Sequence, residues 1–115
     1  MKIRRILRFS FFVLFTSFAA AEDSFITQYE YGEMLYKNPR GIGCIHCHGN
    51  HGKGGYIAAF REEGKKVVLR GPDIRHIDID ALKKALQKRY RIMPTYFLTD
   101  KEIAALHTYL AGKVE

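Results

Sequence analysis

The stretch GIGCIHCHGNHGKGG, from Gly41 to Gly55, holds both cysteines of this 115-residue chain and three of its five histidines. Cys44 and Cys47 are three residues apart, a spacing that places two side chains on one face of a helical turn. His48 follows the second cysteine directly. Thiols and imidazoles bind metals and carry chemistry, so this stretch is the candidate functional site around which the fold is organised.

Cys44, Cys47 and His48 form the pattern C-x-x-C-H, which is the signature of covalent haem c attachment. Two thiols one helical turn apart can form thioethers with the two vinyl groups on one edge of a porphyrin. The histidine that follows is carried to the porphyrin face, where its imidazole can bind iron. His46, inside the motif, is expected to point outward into solvent. This interpretation predicts one covalently attached haem c.

Two other kinds of site use the same side chains. A zinc- or copper-binding accessory protein could take its ligands from Cys44, Cys47, His48 and His51, although structural zinc usually draws its ligands from two separate segments. A redox-active dithiol usually opens a helix after a strand of an α/β fold, and no strand is predicted before Cys44. The motif therefore favours haem, and the metal-binding alternative predicts a colourless protein.

Residues 1–21 have the features of a secretory signal peptide. Four basic residues precede the apolar run FSFFVLFTSF (Phe9 to Phe18). Three alanines (19–21) follow it and are the small residues that a signal peptidase requires. We expect cleavage after Ala21 and export to the periplasm. An uncleaved membrane anchor is the alternative, but the apolar run is short for a bilayer span.

Residues 22–115 then form one domain of modest charge. The whole chain has 19 basic and 12 acidic residues, and the predicted signal peptide contributes four of the basic residues and no acid, which leaves a net charge of +3. This small excess argues against a nucleic-acid-binding protein.

Helical periodicity predicts a first helix directly after the cleavage site. Phe25, Tyr29, Gly32 and Tyr36 recur at steps of three and four, which places them on one face. Glycine destabilises a helix interior, so Gly32 on the apolar face indicates that a second helix approaches closely there.

Two further helices are predicted in the second half of the chain. Asp78 is the expected N-cap of one, and Thr99 with Glu102 forms a capping box at the start of the other. Gly112 can end the last helix. Their apolar faces consist of Ile79, Leu82 and Leu86 in the first, and Ile103, Leu106 and Leu110 in the second.

Little sheet is expected between these helices. YIAAFREEG (residues 56–64) is predicted as a short helix that ends at Gly64, and KKVVL (65–69) as a brief extended segment. Gly71-Pro72 is a turn. The resulting fold class is all-α, with about three main helices plus short helical turns and long loops wrapped around one haem.

A six-coordinate haem iron needs a second axial ligand, and methionine is a common partner of histidine. Met34 lies in the first helix, whereas Met93 lies in the loop RIMPTYF, where Pro94 disfavours a helical conformation at Met93. A loop methionine can reach the open face of the haem, so Met93 is the candidate distal ligand. A five-coordinate haem peroxidase or gas sensor, with Met93 uninvolved, is the enzymatic alternative.

In their order along the chain these motifs resemble the class I c-type cytochromes, the small monohaem periplasmic proteins of bacteria. The similarity extends over nearly all of residues 22–113. The segments that carry it are Gly32, Leu35 and Tyr36, residues 44–49, Gly71-Pro72, Met93-Pro94, and LTDKEIAALHTYL (98–110).

The resemblance implies the class I cytochrome c fold and assigns roles to five residues. Cys44 and Cys47 would hold the haem through thioethers, and His48 and Met93 would be the proximal and distal iron ligands. The carbonyl group of Pro72 would accept a hydrogen bond from the ligand histidine.

The resemblance also implies a function: a monomeric carrier of one electron, not an enzyme, that alternates between Fe(III) and Fe(II). Its partners would be periplasmic or membrane redox proteins, such as a quinol-oxidising complex and a terminal oxidase or peroxidase. Basic residues before the methionine would steer docking onto acidic partners; these are Lys83, Lys84, Lys88, Arg89 and Arg91, with a second basic spot at Lys65 and Lys66. The segments Asn38–Gly41 and His48–Gly71 are longer than the family pattern.

Overall fold

The computed structural model describes residues 26–114 and contains, within that range, four α-helices, one 3-10 turn and one β-hairpin. In chain order these are α1 (Gln28–Lys37), α2 (Ile45–His48), the 3-10 turn (Asn50–Gly52), β1 (Gly55–Glu62), β2 (Lys65–Gly71), α3 (Ile79–Gln87) and α4 (Asp100–Leu110). The predicted signal peptide and its cleavage site lie outside the described residues. No helix in the described range is both long and apolar enough to cross a bilayer.

Side-chain caps determine where the three longer helices begin. The Thr27 hydroxyl accepts a hydrogen bond from the Glu30 amide (3.1 Å), and the Asp78 carboxylate caps α3 in the same way. At the start of α4, Thr99 and Glu102 each accept a hydrogen bond from the other's backbone amide. The predicted N-cap of α3 and the predicted capping box of α4 are both confirmed.

The helices α1 and α4 cross at Gly32. A Cβ atom at this position would overlap the carbonyl oxygen of Ala105 and press on Tyr109 of α4. The neighbouring side chains of Tyr36 and Leu106 are almost completely buried. The close helix approach that Gly32 predicted is therefore confirmed, and it forms the centre of the α1–α4 contact.

The apolar core lies where α4 packs against α1 and against α3. The predicted core face of α4 is confirmed, since Ile103, Leu106 and Leu110 are all buried. In α3, Leu82 and Leu86 are buried, but Ile79 is 39% exposed because it occupies the first turn. Ile79 therefore lies on the predicted apolar face of α3 but is not part of the buried core.

The prediction of a helix for residues 56–64 was also wrong, because β1 and β2 pair as an antiparallel hairpin from Gly55↔Gly71 to Glu62↔Lys65. The two-residue turn at Glu63 and Gly64 has positive φ at both positions (51° and 78°), as a tight hairpin turn requires. Cross-strand hydrogen bonds outweigh the weak helix propensity of YIAAFRE. The fold is therefore helical with one two-stranded sheet, and the long segment His48–Gly71 is mainly this hairpin.

We expect Gly32→Ala to lower the free energy of unfolding by about 1–3 kcal/mol through overpacking. The better helix propensity of alanine, worth about 1 kcal/mol, does not remove the overlap with Ala105. Guanidinium titration of the purified haem protein measures the change. Met34→Ala, at a 56% exposed position of the same helix, is the control and should stay within about 0.5 kcal/mol of the parent. An unchanged or more stable Gly32→Ala protein would contradict the close crossing.

Candidate haem-binding site

The short helix α2 brings both cysteines to one cavity. The Cys44 amide donates to the carbonyl oxygen of Tyr36 (2.9 Å), and the His48 amide closes the helical turn onto the carbonyl oxygen of Cys44 (2.8 Å). Cys44 is buried and Cys47 half-buried, and they are not joined in a disulfide. Burial raises the pKa of the Cys44 thiol to about 11. A reactive dithiol needs a lowered thiol pKa, so this environment argues against the dithiol interpretation.

The imidazole of His48 is held by the end of the hairpin. Its Nδ1 atom lies 2.9 Å from the carbonyl oxygen of Pro72, and the residue is only 8% exposed. A carbonyl oxygen can only accept, so Nδ1 is the donor and Nε2 of the neutral ring keeps its lone pair. Such a hydrogen bond fixes both the tautomer and the orientation of a ligand histidine.

Close backbone contacts bring Pro72 to this position. A Cβ atom at Gly71 would overlap the carbonyl oxygen of Cys47, so only glycine allows the end of β2 to lie against α2. The Gly54 amide, just before β1, donates to the carbonyl oxygen of His48 (2.7 Å). Both ends of the hairpin are therefore attached to the C-x-x-C-H segment.

Cys44, Cys47, His48 and Met93 line one apolar cavity of about 410 Å³. This volume lies within the range of about 300–1,000 Å³ that is typical of ligand and cofactor pockets. Further lining side chains come from the hairpin, from α3 and from the segments on either side of α3; they include Ile57, Leu69, Ile74, Leu82, Ala85 and Tyr96.

The methionine loop (residues 91–97) is attached to the rest of the domain through Tyr96. The Tyr96 amide donates to the carbonyl oxygen of Leu86 (2.8 Å), and the Tyr96 hydroxyl donates to the carbonyl oxygen of Ile42 (2.5 Å). Burial raises the pKa of this phenol to about 12, so it remains a donor at physiological pH. Met93 is partly buried against the core, whereas Met34 is exposed and is not among the cavity residues.

Tyr36 holds the segment that follows His48, and the sequence reasoning missed this role. Its hydroxyl donates to the carbonyl oxygen of Gly49 and accepts from the Gly52 amide (3.0 Å). Its ring packs against Tyr109, with 5.2 Å between the ring centroids. The helical periodicity marked Tyr36 only as a core residue, because partners in a loop leave no signal in a periodic pattern.

The alternative zinc or copper site is not assembled. No three His, Cys, Asp or Glu side chains within residues 26–114 come together to hold a metal ion. The ring of His51 stacks instead on Tyr109, with 5.7 Å between the ring centroids. The predicted set is therefore divided: Cys44, Cys47 and His48 line the cavity, whereas His51 packs against Tyr109 of α4.

The sequence profile of the family described as Cytochrome c matches residues 29–112. The chain belongs to the cytochrome c family. Cytochromes c bind haem covalently and transfer electrons. The covalently bound haem c that C-x-x-C-H predicted is therefore confirmed by the family. Two cysteines, a histidine and a methionine on one apolar cavity are a set that fits haem c. Searches of curated proteins and of solved structures gave no significant match.

Of the basic residues around the end of α3, most form no ion pair with another described residue of this cytochrome. Lys83 forms an ion pair with Asp100 (2.7 Å), and Lys88 lies over the ring of Tyr90, 5.2 Å from its centroid. Lys84, Lys88, Arg89 and Arg91 are exposed, and no described carboxylate forms an ion pair with them.

We expect Tyr36→Phe to lower the free energy of unfolding of the haem protein by about 1–3 kcal/mol, because it leaves Gly49 and Gly52 without their buried partner. The ring stays in place, so the change isolates the hydroxyl. Thermal or guanidinium unfolding measures the effect. Tyr29→Phe is the matched control, since Tyr29 also packs on Tyr109 and its hydroxyl bonds to no other described residue. Equal stabilities of the two variants would exclude the role given to Tyr36.

Proposed function

We propose that this protein is a class I, monohaem cytochrome c that carries one electron at a time. Cys44 and Cys47 hold the haem, and His48 and Met93 bind its iron on opposite faces. The observation that supports this most is that all four side chains line one apolar cavity while Nδ1 of His48 is hydrogen-bonded to Pro72. The bound iron supplies the redox chemistry by alternating between the ferric and ferrous states.

Each of these residues has a separate physical task. The hydrogen bond that His48 donates to Pro72 fixes the ring and raises its basicity, so the imidazole keeps one orientation in both redox states. Met93 provides a thioether, a ligand that raises the reduction potential. The apolar side chains around the cavity exclude water and lower the local dielectric, which disfavours the state with the higher net charge.

If Met93 binds the iron together with His48, no position would be left for a substrate, which favours a carrier over the five-coordinate peroxidase or sensor. Tyr96 holds the methionine loop at two points, and Met93 is partly buried against the core. A Met93 thioether held in this way would block the position that a peroxide or a gas needs. The protein is therefore an electron carrier, free or as a subunit of a larger oxidoreductase, and not itself an enzyme.

The proposed location is the periplasm, reached through the signal peptide 1–21. There the monomeric cytochrome would accept electrons from a quinol-oxidising complex and pass them to a terminal oxidase or peroxidase. The exposed cations Lys84, Lys88, Arg89 and Arg91 form a surface that suits acidic partners, and Lys83 contributes less because Asp100 already pairs with it.

We expect Met93→Ala to lower the reduction potential, because the iron loses its thioether ligand. The ferrous variant should also bind carbon monoxide rapidly, whereas the parent protein should not. Spectroelectrochemistry and rapid-mixing absorbance measure the two effects. Met34→Ala removes the exposed methionine and should change neither. A Met93→Ala protein with the parent's ferric spectrum and potential would contradict the assignment of Met93.

We expect the pair of changes Lys84→Gln and Lys88→Gln to slow oxidation of the ferrous protein by ferricyanide by about twofold or more at low salt, because both cations attract an anionic reagent. The difference should disappear at high ionic strength, where charges are screened. Stopped-flow absorbance measures the rate. Lys37→Gln, on the exposed face of α1, is the control. Rates that do not depend on ionic strength would exclude electrostatic steering.

A further inference from the structure

The segment Asn38–Gly41, which joins α1 to the haem-attachment segment, has an unusual backbone. Arg40 has a φ of +61°, in the left-handed region that residues with a side chain rarely adopt. Pro39, the preceding residue, is almost completely buried and anchors the segment to the domain, whereas Asn38, Arg40 and Gly41 are exposed. A strained conformation of this kind persists where surrounding contacts fix it.

The contacts that fix Arg40 come from its own guanidinium group. Nη1 donates to Oε2 of Glu102 (2.6 Å), and Nη2 donates to Oε1 of the same carboxylate (2.7 Å). Nη2 also donates to the carbonyl oxygen of Phe97 (2.9 Å). The Glu102 side chain is only 9% exposed, and the guanidinium lowers its pKa to about 2, so the carboxylate stays ionised. A paired fork of this kind is stronger and more directional than a single surface ion pair.

Phe97 is the last residue of the methionine loop, four residues after Met93. Its side chain is 87% exposed, so packing does little to hold it. The loop is held at Tyr96 by Leu86 and Ile42, and at Phe97 by Arg40. Arg40 and Ile42, which lie just before α2, therefore hold the C-terminal end of the methionine loop. This is the loop that carries the proposed distal ligand.

We propose that Arg40 is a positioning residue for the distal iron ligand. Its contacts with Glu102 and Phe97 hold the methionine loop in the arrangement that keeps Met93 on the iron. The inference rests on the proposed function, because it takes Met93 as that ligand. It also gives a role to the extra residues between α1 and α2, which keep Arg40 within reach of the loop.

An added ligand measures how firmly the loop is held. Imidazole can bind the ferric iron only when Met93 has left it, so its apparent affinity rises in proportion to the fraction of molecules with a displaced methionine. In the arrangement that keeps Met93 on the iron, Arg40 donates hydrogen bonds to the Glu102 carboxylate and to the carbonyl oxygen of Phe97 in the loop. Loss of such charge-assisted contacts should increase the imidazole affinity of the ferric protein about tenfold or more.

The experiment compares imidazole titrations of the ferric haem protein and two variants. Arg40→Gly removes the guanidinium and also relieves the left-handed backbone, so the chain should still fold. It should bind imidazole more tightly and lose the charge-transfer absorption of thioether ligation at lower imidazole concentrations. Arg40→Lys keeps the charge but cannot form the fork, and should give a smaller change.

Two controls separate positioning from general stability and from charge. Gly32→Ala weakens the α1–α4 crossing without touching the methionine loop, so it should lower stability without a comparable rise in imidazole affinity. Lys37→Gln removes a nearby exposed cation and should behave like the parent protein.

The possible failures of the two proposals can be told apart. If Arg40→Gly binds imidazole like the parent, or if Gly32→Ala increases the affinity as much, Arg40 has no positioning role and the assignment of Met93 still stands. If the parent ferric protein itself lacks the thioether charge-transfer absorption, Met93 is not the ligand and both proposals fall.

Discussion

The hydrogen bond from His48 to the carbonyl oxygen of Pro72 joins two segments that are 24 residues apart in the chain. It forms only because the end of β2 can lie directly against α2, where Gly71 meets the carbonyl oxygen of Cys47. The intervening hairpin starts and ends at the same place, since Gly55 pairs with Gly71. A hairpin closed at its base can project from the domain at any length without moving Pro72. The length of the segment between the motif and this proline therefore does not disturb the contact between His48 and Pro72.

The sequence allowed reliable prediction where the physical cause is local. Caps at Asp78 and Thr99 depend on a side chain and an amide within the same turn, so they can be recognised from spacing alone. Gly32 could be interpreted because a glycine on an apolar helix face has a cost that only a close neighbour explains. The cavity residues Cys44 and His48 followed from the fixed spacing of the motif.

The errors arose where long-range contacts decide the structure. Residues 56–64 have the alanines and glutamates of a helix, but pairing with Val67 and Val68 across a tight turn makes them a strand. Ile79 fits the apolar period of α3, yet in the first turn of the helix it remains 39% exposed. The hydroxyl partners of Tyr36 and Tyr96 are backbone groups in other segments, which no periodic pattern encodes.

These polar contacts hold the segments that lie next to the proposed haem-binding residues. Tyr36 fixes the backbone after His48, Tyr96 fixes the methionine loop, and Arg40 attaches that loop to α4 through Glu102. Under the proposed function, these contacts would limit the movement of His48 and Met93 when an electron arrives or leaves.

The central claim is that Cys44 and Cys47 bind one haem covalently in the cavity between His48 and Met93. The most direct test is the intact mass of the protein under denaturing conditions, after production in bacteria with cytochrome c maturation machinery. The account predicts the mass of the processed polypeptide plus one haem, and its loss when Cys44 and Cys47 are both changed to Ala. A bare polypeptide mass from the parent protein, with both thiols free, would contradict the account.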